Sequence, residues 1–458
     1  MKTFTLLATA SLVIVGTTGC SNFLTGGELS NNPNVATTAT AQNLFVGTQS
    51  ALWTELGSDM SRITMIWGQH LTGNNQQYVN IDQYGNTDQN TNGFHQALYI
   101  TGGLVDLRKL RAAAITNGDS LFLGIAQVQE AWLMGTGADL FGDLVYSQAL
   151  QGEPNPTLDT QETVYAHVLA LLDTAIANMA ATSGSNVGPG SADLAYGGDA
   201  TKWTRLAHTL KARFYMHQIH APWTTPTAMA TAALAEVPLG LQQGDDYQAI
   251  FSGNANEQNF WYQFDGPAGR AGYYIPSLTL IDTLQARGDT DLLDSYFLFD
   301  GPDAVSLADA RLQPNSPITF ASYAENELLW AEAAYRTGDI ATARTHLKNA
   351  ATALGEANPA RGDTQSGLTL LNNILVTKWI ADFQLGTEAY TDYRRTCTPN
   401  FAPTVPNGTV PGRLFYDTGE QQTNTNMPAA GTDPNGYYNT GQPLLSTSDG
   451  TGTACRAY

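Results

Sequence analysis

Hydrophobic residues recur along most of the chain at the three- and four-residue spacing of an α-helix. Leu44, Thr48, Leu52 and Leu56 form the first such stripe, since residues at this spacing share one helix face. Five further stripes begin at Leu104, Leu121, Val164, Trp203 and Leu368. No segment sustains the two-residue alternation of a half-buried strand. The pattern therefore predicts a mainly α-helical fold with little sheet.

One segment, residues 323–352, predicts a tetratricopeptide-like pair of helices. Small residues such as Ala331 and Ala334 let two helices approach closely, and Gly338 supplies the turn between them. A single repeat cannot bury its own apolar face, so other helix pairs must stack on it. An ordinary helical hairpin without a repeat is the alternative.

Two long segments lack this helical pattern. Over residues 242–320 the helix signals thin out, and Ser277 begins the one clear helix. After Thr396 the pattern disappears into Pro, Gly, Asn and Thr. We therefore expect residues 242–320 and 396–458 to be rich in irregular loops.

The first twenty residues predict export. Lys2 precedes a short apolar run over residues 4–15, and small residues then lead to Cys20. The run is too short for a permanent membrane span, which needs ~20 residues. The Gly19-Cys20 step looks like the cleavage point of a bacterial lipoprotein signal, whose cysteine carries the lipid.

These features divide the N-terminal region into two parts. We predict a signal peptide over residues 1–19, lipidation of Cys20 and a polar tether over residues 20–40. Thr17 departs from the usual signal, which has an aliphatic residue there. Ordinary secretion, with Cys20 incidental, is the alternative.

Composition excludes several classes of partner. The net charge is −20 and only 14% of residues are charged. Nucleic-acid phosphates and anionic membrane surfaces are therefore poor partners. No second hydrophobic segment follows the signal, so we expect membrane contact through the lipid anchor only.

Two further cysteines, Cys397 and Cys455, lie in the loop-rich C-terminal part. An oxidising envelope permits a disulfide between them, which would tie the tail to the body. Two unpaired thiols are the alternative. Two cysteines without a neighbouring histidine do not predict a metal site.

Signatures of catalysis are weak. The chain has no G-x-S-x-G elbow, phosphate-binding loop or H-E-x-x-H sequence. His217 and His220 share a helix face, but no third ligand follows at a suitable spacing. We predict no catalytic residue, metal or cofactor. Because carboxylates are plentiful, an all-helical glycoside hydrolase stays an alternative, as does a helical-repeat scaffold lipoprotein that binds only protein.

Four sequence motifs occur in a characteristic order. Residues 138–149 read ADLFGDLVYSQA and residues 322–334 read SYAENELLWAEAA. Residues 378–396 run from KW to DYRRT, and residues 411–424 contain P-G-R-L-F-Y with a later Glu and Asn. With these motifs the chain resembles the SusD/RagB-like outer-membrane nutrient-binding lipoproteins nearly from end to end.

The resemblance implies an architecture and a partner. Residues 41–458 would form one SusD-like domain, with tetratricopeptide-like helix pairs as the scaffold and irregular segments as the ligand face. The partner would be a SusC-like, TonB-dependent outer-membrane transporter, over which the lipid-anchored protein sits at the cell surface. Its ligand would be an oligosaccharide or a peptide, delivered without being cleaved.

The charged residues of the motifs have a structural interpretation. Carboxylates near helix starts cap backbone amides, and arginines pair with carboxylates through two hydrogen bonds. We therefore expect ion pairs of the scaffold, and not catalysis, from Asp139, Asp143, Glu388, Asp392, Arg394 and Arg395.

Sugar binding needs aromatic rings for the apolar sugar faces and amide or charged groups for the hydroxyls. Residues 67–84 and 259–274 contain this mixture, and they correspond in order to regions of the family's ligand face. We predict that ligand contacts come from Trp67, Asn74, Gln76, Tyr78, Trp261, Tyr262, Arg270 and Tyr274. The alternative is that the aromatic rings anchor long loops onto the helices.

Overall fold

The structure is a computed structural model, and α-helices dominate it. The predicted signal peptide, Cys20 and Cys455 lie outside the residues that it describes. Those residues are 39–85, 88–182, 184–266, 269–400, 404 and 410–428.

The helices alternate with short turns in the first half of the chain and with strands and loops in the second. Helices of the first half are α1 (Ala41–Gly57), α2 (Asp59–Trp67), α3 (Gln77–Asp82), α4 (Asp88–Ala97), α5 (Leu104–Thr116), α6 (Ser120–Phe141), α7 (Gln161–Met179), α8 (Ala200–His217) and α9 (Pro226–Glu236). Those that follow are α10 (Phe260–Asp265), α11 (Leu278–Arg287), α12 (Thr290–Tyr296), α13 (Tyr323–Arg336), α14 (Ile340–Leu354), α15 (Gly367–Ala381), α16 (Gly386–Thr396) and α17 (Thr418–Thr423). Short 3-10 turns occupy Gly190–Ala192, Val237–Leu239, Asp309–Arg311 and Pro359–Gly362.

The apolar stripes predicted the long helices correctly. All six lie on α1, α5, α6, α7, α8 and α15, and most of their residues are buried. Each helix from α5 to α9 packs on the next, α9 packs on α13, and α13 packs on both α14 and α15. This succession of packed helices is the scaffold that the repeat-like pattern predicted.

The predicted repeat is the pair α13 and α14. Ser322 caps α13 by accepting a hydrogen bond from the Glu325 amide at 3.0 Å. Gly338, with φ of 90°, makes the turn in the left-handed region that favours glycine. Ala334 and Ala343 are buried between the helices, so small side chains allow their close contact as expected.

Helix α6 lies at the centre of the scaffold and is buried along most of its length. Its Gly135 lets α8 approach closely, because a Cβ atom there would lie 2.2 Å from Cζ of Phe214. Asp119 caps its N-terminus by accepting a hydrogen bond from the Phe122 amide at 2.9 Å. Gly135 therefore sets how closely α8 can pack against α6.

The sheet content of the described residues is three antiparallel strand pairs, as the prediction of little sheet requires. β1 (Leu71–Gly73) pairs with β3 (Tyr274–Pro276), and β2 (Tyr247–Ala249) pairs with β6 (Ile318–Ala321). β4 (Phe297–Asp300) pairs with β5 (Asp303–Leu307). The first pair joins two segments about two hundred residues apart in the chain, with Leu71 opposite Pro276 and Gly73 opposite Tyr274.

Two other predictions concern the irregular segments. Ser277 is the N-cap of α11, and its hydroxyl accepts a hydrogen bond from the Thr279 amide at 3.2 Å, which confirms the predicted helix start. Cys397 is disulfide-bonded. Because Cys455 lies outside the described residues, the Cys397–Cys455 pairing stays a prediction.

No helix within the described ranges combines the length and apolar character needed to cross a membrane.

Candidate functional site

The charged residues of the sequence motifs form a buried ion-pair network. Arg395 binds Glu332 through two hydrogen bonds of 2.7 and 2.8 Å and contacts Asp392 at 2.5 Å. Although burial alone would raise the pKa of Glu332, the adjacent arginines lower it far below its usual range. Each charge is thus matched by a partner, as a buried charge requires.

Arg394 joins three of the motifs. Its guanidinium donates to the carbonyl oxygens of Asp139 and Gly412, each at 2.6 Å, and stacks 4.1 Å from the ring of Tyr390. The Asp143 carboxylate accepts a hydrogen bond from the Gln161 amide at 2.8 Å. These contacts support the predicted scaffold role of the motif residues.

His217 lies at the centre of this network. Its Nδ1 is 2.8 Å from Asp139 and its Nε2 is 2.9 Å from Glu388. Burial on its own lowers the pKa of His217, but the two carboxylates outweigh burial and raise the pKa to about 9. The imidazole is therefore a cation at neutral pH.

The spacing of His217, Glu388 and Asp392 would also suit a metal ion, because their donor atoms lie within 4.8 Å of one another. The ammonium group of Lys378, however, is 2.9 Å from Glu388 and 2.6 Å from Asp392. Protein cations thus already supply the positive charge that these carboxylates need.

The two segments predicted to bind ligand meet on one face of the molecule. Pairing of β1 with β3 aligns them, and the amides of Asn74 and Asn75 both donate to the carbonyl of Tyr273, at 2.9 and 3.0 Å. The side-chain amide of Asn74 adds a 3.0 Å hydrogen bond to the Gly272 carbonyl. The loops after β1 and before β3 therefore form one continuous surface.

The four rings chosen from the sequence lie beneath this surface. Trp67 and Trp261 are 0% exposed, Tyr78 is 1% exposed and Tyr274 is 2% exposed. The centroids of Tyr78 and Tyr274 are 6.2 Å apart, and those of Trp261 and Tyr274 are 5.8 Å apart. Their burial favours the alternative, in which these rings anchor the loops to the scaffold, because a sugar cannot stack on a covered ring.

Arg62 of α2 fixes the base of this aromatic layer. Its guanidinium lies 4.2 Å from the ring centre of Phe264, and its Nε donates to the Tyr78 hydroxyl at 3.3 Å. The Tyr78 hydroxyl in turn donates to Asp59 at 2.6 Å. Nearby, burial raises the pKa of Asp265 to about 6. The layer is held by both packing and charge, so the surface above it has a defined shape.

We select five side chains of these two segments as candidate ligand contacts and call them the rim. Three of them are exposed and two are half-buried. They are Asn74, Gln76 and Arg270, which are exposed, and Tyr262 and Tyr273, which are half-buried.

The rim combines rings with polar groups. The Tyr273 ring rests against Phe264, with 6.0 Å between ring centres, and the Arg270 guanidinium lies 5.4 Å from the same ring. Gln76 has φ of 51°, and its backbone amide donates a 2.8 Å hydrogen bond to Oδ1 of Asn75. Such a surface can stack on an apolar sugar face and hydrogen-bond to hydroxyls.

Four of the eight predicted residues therefore belong to the rim, and Tyr273 is an addition. The sequence choice favoured tryptophans, whose large apolar area makes burial energetically favourable. The sequence signal that could have identified Tyr273 is the preceding glycine, Gly272. Its φ of 80° marks a turn, and turns lie near solvent.

A family model covers most of the chain. The model is described as "Starch-binding associating with outer membrane" and matches residues 32–417. No curated protein gave a sequence match.

Several solved structures share the fold. A SusD homolog from Bacteroides uniformis is 20% identical, with a TM-score of 0.70 over 92% of this chain and 100% of that chain. A SusD/RagB family protein from Bacteroides thetaiotaomicron is 20% identical, with a TM-score of 0.68 over 90% of this chain and 98% of that one. A chitin-binding SusD homolog from Flavobacterium johnsoniae is 17% identical, with a TM-score of 0.66 over 84% and 94%. At these identities the likeness establishes the fold alone.

Proposed function

Since the chain belongs to the SusD-like family of starch-binding proteins that associate with the outer membrane, we propose that it binds a glycan at the rim. Tyr262 and Tyr273 stack on sugar rings in this proposal. Asn74, Gln76 and Arg270 donate hydrogen bonds to the sugar hydroxyls. The family description names starch binding and no catalytic activity. In our proposal the protein therefore binds its ligand without cleaving it.

One observation carries this proposal, namely the pairing of β1 with β3. The pairing brings two polar loops with half-buried rings onto one face, although they are far apart in the chain. The Tyr273 ring is backed by Phe264 of the buried layer, so little side-chain entropy is lost there when a sugar binds. An open surface also suits a long chain, which can enter and leave at both ends.

The partner and the anchor complete the proposed function. Cys20 carries the lipid that holds the protein on the outer membrane, and a SusC-like, TonB-dependent transporter receives the glycan from it. The resemblance of the four motifs and the lipoprotein-like start support this part. A peptide is the alternative ligand class.

Calorimetry with single variants tests the rim. We expect Tyr273→Ala and Tyr262→Ala to weaken binding of a soluble starch or chitin oligosaccharide by about 1–3 kcal/mol each, by analogy with aromatic hot spots. Melting temperatures should stay near that of the wild type, because both rings are only half-buried. Tyr215→Ala, which removes another half-buried tyrosine on α8, is the matched control and should bind normally.

Product analysis in the same experiments separates the alternatives. Unchanged affinity in both rim variants would show that the rim does not bind the glycan. Release of short sugars by the pure protein would favour a hydrolase. Failure to bind any oligosaccharide, together with a stable protein complex, would favour a protein-binding scaffold.

A further inference from the structure

A cavity of about 370 Å³ opens between the start of α13 and the turn that joins α15 to α16. Rim residues do not line it, and β6 and the 3-10 turn Asp309–Arg311 complete its walls. We propose that this cavity is a second site, which binds a single neutral sugar unit. The inference takes its ligand class from the proposed function but does not depend on the rim.

An aromatic and guanidinium stack forms one wall of the cavity. The rings of Tyr296 and Phe383 lie parallel, 4.3 Å apart and inclined by 9°. The Arg311 guanidinium covers both rings at 4.6 and 5.2 Å. Its Nε donates to the Ser295 carbonyl and its Nη1 donates to the Gln384 side chain, each at 2.7 Å. The wall is thus preformed.

Gln384 shapes the adjoining part of the cavity. Its φ of 71° is uncommon for a residue with a side chain and is stored strain of the kind that collects at functional sites. Ser61 holds this conformation, because its hydroxyl donates to the Gln384 carbonyl at 2.9 Å and accepts from the Gly386 amide at 2.9 Å. These two hydrogen bonds from Ser61 of α2 stabilise the strained backbone and keep the Gln384 side chain on the cavity wall.

Carboxyl groups also line the cavity and offer hydrogen-bond acceptors, in contrast to the guanidinium of Arg311. Asp382 lines the cavity while 3% exposed, and its nearest cation, Lys378, lies 3.4 Å away. Asp246 is exposed at the mouth and accepts a hydrogen bond from the Tyr323 amide at 2.9 Å. Burial raises the pKa of Asp382 well above its usual range, and the positive charge of Lys378 opposes this shift.

The chemistry of the lining favours a neutral polyhydroxylated ligand. The volume lies in the range of about 300–1,000 Å³ that small-molecule sites occupy. The carboxyl groups of Asp246, Glu325 and Asp382 on the lining disfavour an anion, and the hydroxyl and amide side chains on the walls disfavour a purely apolar ligand. Arg311 already uses Nε and Nη1 within the protein, so its guanidinium is poorly placed to bind the carboxylate of an amino acid through two hydrogen bonds.

Saturation-transfer NMR with monosaccharides tests the proposal. D-glucose and N-acetyl-D-glucosamine are the probes, and glycylglycine represents a zwitterionic ligand. Ala353→Trp should fill the mouth of the cavity from the exposed face of α14. Thr352→Trp places the same side chain on the neighbouring exposed residue, which does not line the cavity. The rim double variant Tyr262→Ala/Tyr273→Ala serves as the background for both.

We expect at least one sugar to give a saturation signal with the rim double variant, and this signal should be lost with Ala353→Trp and kept with Thr352→Trp. Melting curves of the two tryptophan variants should agree. An undiminished signal with Ala353→Trp, no sugar signal in the rim background, or binding of glycylglycine alone would each overturn the second site. If Ala353→Trp abolishes the monosaccharide signal but the rim variants keep their oligosaccharide affinity, the rim is refuted as a binding site. The proposed cavity site would then still be supported.

Discussion

Replacing His217 by glutamine should lower the stability of the protein in a pH-dependent way. The two carboxylates that contact the imidazole raise its pKa from 6.5 to about 9 in the folded state. At about 1.4 kcal/mol per pKa unit, this shift corresponds to about 3 kcal/mol of stability. Glutamine keeps hydrogen-bonding capacity but removes the charge, so Asp139 and Glu388 lose a cationic partner.

The sign of the effect follows from proton linkage. Because the folded pKa lies above the unfolded pKa, the contribution of His217 is complete below pH 6.5 and is lost as the pH rises through about 9. Denaturant unfolding across this interval should show a wild-type stability that falls more steeply with pH than that of His217→Gln.

A second group titrates in the same interval and is present in both proteins. Burial raises the pKa of Glu55 to about 8, so Glu55 also lowers stability as the pH rises. The difference between wild type and variant cancels this effect and isolates His217. If the two stability curves run parallel from pH 6.5 to beyond pH 9, the imidazole carries no stabilising charge and our account of the network is wrong.

Three further predictions concern the anchor, the tail and the core. Cys20→Ala should release the protein from membranes, whereas unchanged fractionation and an unacylated mature N-terminus would contradict lipidation. Non-reducing peptide mapping should link Cys397 to Cys455, a bond worth about 4 kcal/mol in the chain-entropy model; two freely alkylated thiols would refute it. Gly135→Ala should destabilise by about 1–3 kcal/mol through overpacking against Phe214. Gly47→Ala on α1, where a Cβ meets nothing within 4 Å, is its control and should not destabilise in thermal unfolding.

The helical scaffold could be predicted because its signals are local. Stripes such as Val164, Val168 and Leu172 recur within one element, and the residues that form them are buried in α7 as expected. Turn and cap signals are equally local, and Gly338 and Ser277 lie where the pattern put them. Short-range periodicity thus accounts for the helices and for most of their ends.

The long-range pairings could not be predicted in the same way. Nothing near Arg395 identifies Glu332 as its partner, and nothing near Leu71 identifies Pro276. Each of these contacts joins residues far apart in the chain, so no local pattern marks the partner. The sequence therefore indicated that the motif charges are structural without revealing the network that they form.

The sequence predicted which two segments form the candidate site, but it did not predict which of their aromatic rings are exposed. Exposure of a ring depends on what packs over it. Tyr78 is buried against Phe264 and Arg62, whereas Tyr273 packs on Phe264 and stays half-buried. The cavity beside Gln384 escaped prediction altogether, because its walls come from distant parts of the chain.

A crystal structure with a bound starch or chitin oligosaccharide tests the central claim most directly. Our account predicts sugar rings stacked on Tyr262 or Tyr273, with hydroxyls within hydrogen-bonding distance of Asn74, Gln76 or Arg270. An oligosaccharide bound elsewhere, with the rim bare, would contradict the assignment of the rim as the glycan-binding site.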